Sequence, residues 1–160
     1  MSAADAPTML GQGYHWQDLA VGQRFRSFRR TVTEADLIGF VTLTGMLEPL
    51  FIDATEAGAL GPRPIPAALT HALIEGQVLG PMARGTGLAL LEQHLRPLAP
   101  VRVGDTIGAE VTIIAIRPTS RGNRAVVESA IAVINQHGER VMDYTVKRLI
   151  AGRDRENGTS

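Results

Sequence analysis

The hydrophobic positions of this chain change period partway along it. Leu69, Ala72, Leu73, Gly76 and Leu79 recur at helical spacing, whereas from Leu88 onward the repeat is two. The two-residue sets are Leu88, Leu90, Glu92 and His94 against Ala89, Leu91, Gln93 and Leu95; then Ile107 to Ala115; then Ala125 to Val133; and finally Val141 to Ile150. Turn-forming segments separate them: Arg102-Val103-Gly104-Asp105, Thr119 to Asn123, and the hairpin signal Gln136-His137-Gly138-Glu139. Before the helix, Arg24 to Val32 reads as one extended segment, and Thr33-Glu34-Ala35-Asp36 as a helix start with a hydroxyl cap and acidic first turn. Gly45 should end that helix. Pro49 interrupts the next segment, Pro66 suits a first helical turn, and Gly80-Pro81 is expected to stop the long helix.

One strand, helices and then four antiparallel strands make an α+β pattern in which a single sheet wraps one long helix. Small residues Ala67, Ala68, Ala72 and Gly76 allow close approach to that helix. A sheet of this kind covers its helix on one side only, so a homodimer or larger assembly is expected.

Composition narrows the partners. The 160 residues, 44% of them hydrophobic, suffice for one core and not two. Sixteen basic and sixteen acidic residues cancel, so no positive field favours nucleic acid or an anionic membrane. There is no cysteine, hence no disulfide or thiolate chemistry, and His15, His94 and His137 share no metal-ligand spacing. No apolar run approaches the roughly 20 residues of a membrane span, and the first thirty residues lack a signal segment, so a cytoplasmic location is expected. Residues 1–13 and 151–160 read as flexible ends around one domain, 14–150.

Four stretches, in order, carry a family resemblance: Tyr14 to Gln23, Arg30 to Leu37 followed by Phe40 and Leu43-Thr44-Gly45, Leu98 to Ile107, and Ile134 to Val141. Together they resemble the MaoC-like acyl dehydratases and hydratases of the hot-dog fold. That resemblance implies an acyl-coenzyme A or acyl-carrier thioester as substrate, with no cofactor. The family's catalytic loop reads Gly-Asp-x-Asn-Pro-x-His-x-Asp; here Gly45, Pro49 and Asp53 match it, while Met46, Glu48 and Phe51 occupy the Asp, Asn and His positions. Hydration of a 2,3-enoyl thioester needs a group to activate water at C3, another to protonate C2, and donors for the enolate oxygen. Met46 and Phe51 can transfer no proton. Backbone amides at the start of the long helix, near Ala67 and Ala68, remain available whatever the side chains.

Glu48 is the one carboxylate inside the loop, set among Met46, Leu47, Leu50 and Phe51, and is a candidate general base; its plainer role is to bond backbone amides. His71 on the helix is a second catalytic candidate, against an ordinary structural histidine. Arg63 could meet a coenzyme A phosphate or simply face water. Asp53 reads as a brace for the segment after it, and Glu75 as a partner for a polar neighbour or a dimer boundary. Met46, Leu47, Phe51, Ala67 and Ala68 are expected to line an apolar acyl site. Three functions compete: a hydratase or dehydratase with a rearranged site, a hot-dog thioesterase, and a non-catalytic thioester-binding subunit paired with an active MaoC-like chain.

Overall fold

In the computed structural model, residues 10–56, 58, 59 and 61–153 are described. Six strands, β1 (Arg24–Arg26), β2 (Arg30–Thr31), β3 (Gly87–Pro97), β4 (Thr106–Pro118), β5 (Arg124–Ile134) and β6 (Arg140–Ala151), accompany helices α1 (Glu34–Thr44), α2 (Pro49–Ile52) and α3 (Ala67–Ala83). The sheet is antiparallel in the order β1-β4-β5-β6-β3, with β2 also on β4. α3 lies against its inner face, as the α+β reading expects. Strand alternation builds that face: in β5 every second residue, Ala125, Val127, Ser129, Ile131 and Val133, is buried. Leu37 of α1, Ile74 of α3 and Ile107 of β4 share one buried cluster with Ile131 and Val133, while Val127 joins a second with Ala83, Ile113 and Ile150.

The capping reading of Thr33 is realised in full. The Thr33 hydroxyl accepts from the Asp36 amide at 3.2 Å, and the Asp36 carboxylate accepts from the Thr33 amide at 2.8 Å. Gly45 follows α1 at φ +74°, a conformation that costs other L-residues strain, and its amide closes the helix on the Val41 carbonyl at 2.9 Å.

Four expectations need correction. The segment Arg24 to Val32 is not one strand: its pairing with β4 shifts by one residue between Arg26↔Glu110 and Arg30↔Ile107. Residues 27–29 bulge out there, and Gly108 makes room, since a β-carbon on it would sit 3.0 Å from Arg29 Cγ. In β4 a second irregularity between Ile113 and Ala115 turns Ile114 outward and brings Ile116, not Ala115, opposite Val127. In β3 the irregularity at Leu91 sets Leu90 opposite Arg148 and Gln93 opposite Val146, on the helix side together, while Glu92 and His94 face outward. Finally, α3 passes through Pro81 and ends at Ala83. A proline there removes only one late hydrogen bond, and the Arg84 amide still reaches the Gly80 carbonyl at 3.2 Å.

The ends of the described chain are tied down. The Gly13 amide donates to the Arg84 carbonyl at 2.8 Å, and the Ala151 amide to the Thr86 carbonyl at 2.8 Å. The remaining residues of the two expected flexible ends, 1–9 and 154–160, lie outside the described residues.

Candidate functional site

Pro66 precedes α3 with no amide of its own, and the first intrahelical bonds are those from Leu69 and Thr70 to the Pro66 carbonyl. The amides of Ala67 and Ala68 come before them, at the positive end of a 17-residue helix with no acidic side chain in its first turn. Beside this helix start lies a cleft of about 350 Å³. Leu50 and Phe51 of α2 form one wall, Ala67 and Thr70 of α3 another, and residues 97–101 with Val141 and Met142 of β6 a third. Thr70, almost wholly buried, brings the only side-chain hydroxyl; among the described residues lining the cleft none carries an acid or a base.

Local chemistry holds the α2 wall in place. Pro49 opens α2 at a position where its missing amide costs nothing, and the Glu48 carbonyl accepts from Phe51 at 2.8 Å and from Ile52 at 3.2 Å. Arg63 fastens this wall to α1: one guanidinium nitrogen bonds both Glu34 carboxylate oxygens at 2.8 and 2.6 Å, and another reaches the Phe51 carbonyl at 3.5 Å. Arg63 is thus engaged within the chain. Asp53 accepts from the Thr55 amide at 2.8 Å and hydroxyl at 2.6 Å, bracing the turn after α2.

The candidate residues fall into separate places. Phe51 and Ala67 line the cleft. Glu48 is exposed, one helical turn before Phe51; Met46 and Leu47 are exposed in the loop from α1; and Ala68 is exposed on the outer side of α3. His71 points elsewhere, into a half-buried polar group on the flank of α3. There Glu75 accepts from the Tyr144 hydroxyl at 2.6 Å and pairs with Arg148, while the His71 ring meets Tyr144 edge-on at 5.0 Å between centroids. The Gln93 side-chain amide meets His71 Nε2 on the same flank. Burial holds the His71 pKa below the ordinary histidine value, with Glu75 opposing and Arg148 reinforcing the shift. Burial likewise raises the Tyr144 pKa, and the Glu75 carboxylate adds to it.

Sequence reasoning missed α2 as a helix, Thr70, and the far wall at residues 97–101. Pro97 and Pro100 flank that wall and were its one local signal. The polar group on α3 had a partial signal in His71 and Glu75, four apart and hence on one helix face.

The comparisons with known proteins agree with this architecture. Residues 19–144 match the family model described as FAS1-like, dehydratase domain region. A 3-hydroxybutyryl-CoA dehydratase of Methylorubrum extorquens is 30% identical over 112 residues, covering 69% of this chain and 70% of that protein. The crystal structure of a MaoC-like dehydratase from Rhodospirillum rubrum superimposes with a TM-score of 0.81 at 28% identity, over 89% of this chain and all of that one. A Mycobacterium tuberculosis protein with a double hot-dog fold superimposes with a TM-score of 0.76 at 19% identity, over 94% of this chain and 48% of that one. The sheet wrapped on α3 is a hot-dog fold, and the chain belongs to the MaoC-like family of acyl-CoA dehydratases and hydratases.

Proposed function

We propose that this chain binds an acyl thioester, carried on coenzyme A or a carrier protein, and adds or removes water across its 2,3-bond. The observation that carries the reading is the apolar cleft set against the amides of Ala67 and Ala68, which precede the first intrahelical bonds and have no partner among the described residues. A thioester carbonyl placed on those amides would have its growing enolate charge stabilised by N–H donors and the helix dipole, while the acyl chain lies between Phe51 and Met142. Family membership supports the same chemistry. The site is a departure from the family's loop, because Met46 and Phe51 stand where its acid and base would be.

Glu48 then takes the role of base, accepting a proton from water as the water oxygen bonds C3, and its protonated carboxyl returns that proton to C2, which leaves the carboxylate ionised as it began. Its position one turn from the cleft wall supports this. With crotonyl-coenzyme A as substrate, Glu48→Gln should lower kcat by about 10²- to 10⁴-fold, the worth of a positioned proton-transfer group. Full activity in that variant would eliminate Glu48 as base. Release of free thiol from acyl-coenzyme A, read with Ellman's reagent, would instead favour hydrolysis.

One observation favours a second reading. With no acid or base among the described residues of the cleft wall, the chain suits a thioester-binding subunit whose active MaoC-like partner supplies the proton chemistry. Binding of crotonyl-coenzyme A without turnover by the purified chain is the result that reading expects. A partner, identical or related, is also supported by β3, an 11-residue edge strand exposed along nearly its whole length.

A further inference from the structure

We infer that a second cavity, at the bulge between β1 and β2, binds the phosphate group of a small organic ligand, with Arg26 and Arg29 as its cationic contacts. It shares no lining residue with the cleft beside α3, and the inference stands whether or not the thioester reading does. Charge is what singles the cavity out. Elsewhere arginines meet carboxylates: Arg24 pairs with Glu110 at 2.8 Å, Arg63 with Glu34 at 2.6 Å, and Arg30 with Asp36. Arg26 and Arg29 have no carboxylate partner among the described residues, and both line this one space of about 420 Å³. Glu110 also borders it, already neutralised by Arg24, so the recess carries a net positive charge.

Both walls are fixed by the chain itself. On the bulge, the Ser27 hydroxyl accepts from the Ala109 amide at 2.9 Å and donates to the Phe28 carbonyl at 2.6 Å. Opposite, the Asn135 side-chain oxygen accepts from the His137 and Glu139 amides at 2.9 and 3.1 Å and shapes the β5–β6 hairpin. Gly108 keeps the space between them open, since a β-carbon there would sit 3.0 Å from Arg29 Cγ. One Arg29 nitrogen donates across the recess to the carbonyls of Asn135 at 3.0 Å and Thr106 at 3.4 Å. Its Nε hydrogen and the hydrogens of its other terminal nitrogen have no partner among the described residues. Two planar cations on one recess suit a dianion with several terminal oxygens, which is the chemistry of a phosphate. Gly108, Ala109 and Ile134 add an apolar stretch for the rest of the ligand.

The test is calorimetric titration of the whole chain with ADP and with adenosine at low salt. ADP should bind at least about tenfold more tightly than adenosine, and added salt should weaken it. Arg26→Gln and Arg29→Gln should each lower the ADP affinity by about 10- to 100-fold, the worth of a charge-assisted hydrogen bond. Arg121→Gln, on the exposed turn between β4 and β5, should leave it unchanged. Arg26 is exposed and ties nothing down, so its variant carries the test if the Arg29 variant does not fold. Coenzyme A as competitor separates two sources of the phosphate. Displacement of ADP, with coenzyme A itself weakened by the same two variants, assigns the site to the phosphates of a thioester's carrier. Simultaneous binding of both assigns it to a separate phosphorylated ligand. ADP binding no tighter than that of adenosine, kept in both cavity variants, or equally weakened by Arg121→Gln overturns the inference and leaves the thioester reading standing.

Discussion

His71 is half-buried beside Glu75 and Arg148, and that burial has a pH signature. Because the folded-state pKa of His71 lies below its unfolded value of about 6.5, the fold binds fewer protons than the unfolded chain, and stability rises with pH. The contribution should be complete above about pH 6.5 and be lost as pH falls through the lowered folded value. Urea unfolding between about pH 5 and 8 should show this slope, and His71→Phe should flatten it. Beside it, Glu75→Gln removes the charge facing Arg148 and should cost about 2 kcal/mol of unfolding free energy, the range for a charge-assisted hydrogen bond. A cost near zero would mean that solvent already screens the pair. Only His71 and Glu75, four apart on one helix face, were legible beforehand; Glu75 meets Tyr144 and Arg148 across 69 and 73 residues of chain.

At the scale of elements, whatever depends on a few neighbouring residues could be read in advance. The Thr33 cap, the Gly45 stop and the hairpin at Gly138 all rest on contacts within four residues. Thr33→Ala should cost about 1 kcal/mol by thermal or urea unfolding, since it leaves the Asp36 amide without its acceptor. What escaped were the irregularities at residues 27–29, 91 and 114, because each depends on a register that only the neighbouring strand fixes. The cleft was half legible for the same reason: Phe51 and Ala67 stood out locally, whereas Val141 and Met142 reach it from the far end of the sequence.

For the molecule as a whole, β3 poses the question of assembly. Leu90, Leu91 and Leu95 are exposed on an edge strand whose outer hydrogen-bonding groups have no partner strand among the described residues, and Ala68, Ala72, Gly76 and Leu79 are exposed along the outer side of α3. Sedimentation at micromolar concentration should therefore give twice the monomer mass, and Leu91→Lys on the edge should shift it toward the monomer. A wild-type chain that sediments as a monomer throughout would remove the assembly reading and leave the fold untouched. Among the described residues no helix is long and apolar enough to cross a membrane.

Gly13 and Ala151 are both stitched to the turn that follows α3, while the cleft opens at the start of the same helix. Seventeen residues at about 1.5 Å each put roughly 25 Å between the two places. An affinity handle or fluorophore attached at Gly13 would thus leave the molecule from the end remote from the cleft. Immobilised that way on a sensor chip, the protein would keep its cleft turned to the flowing solution.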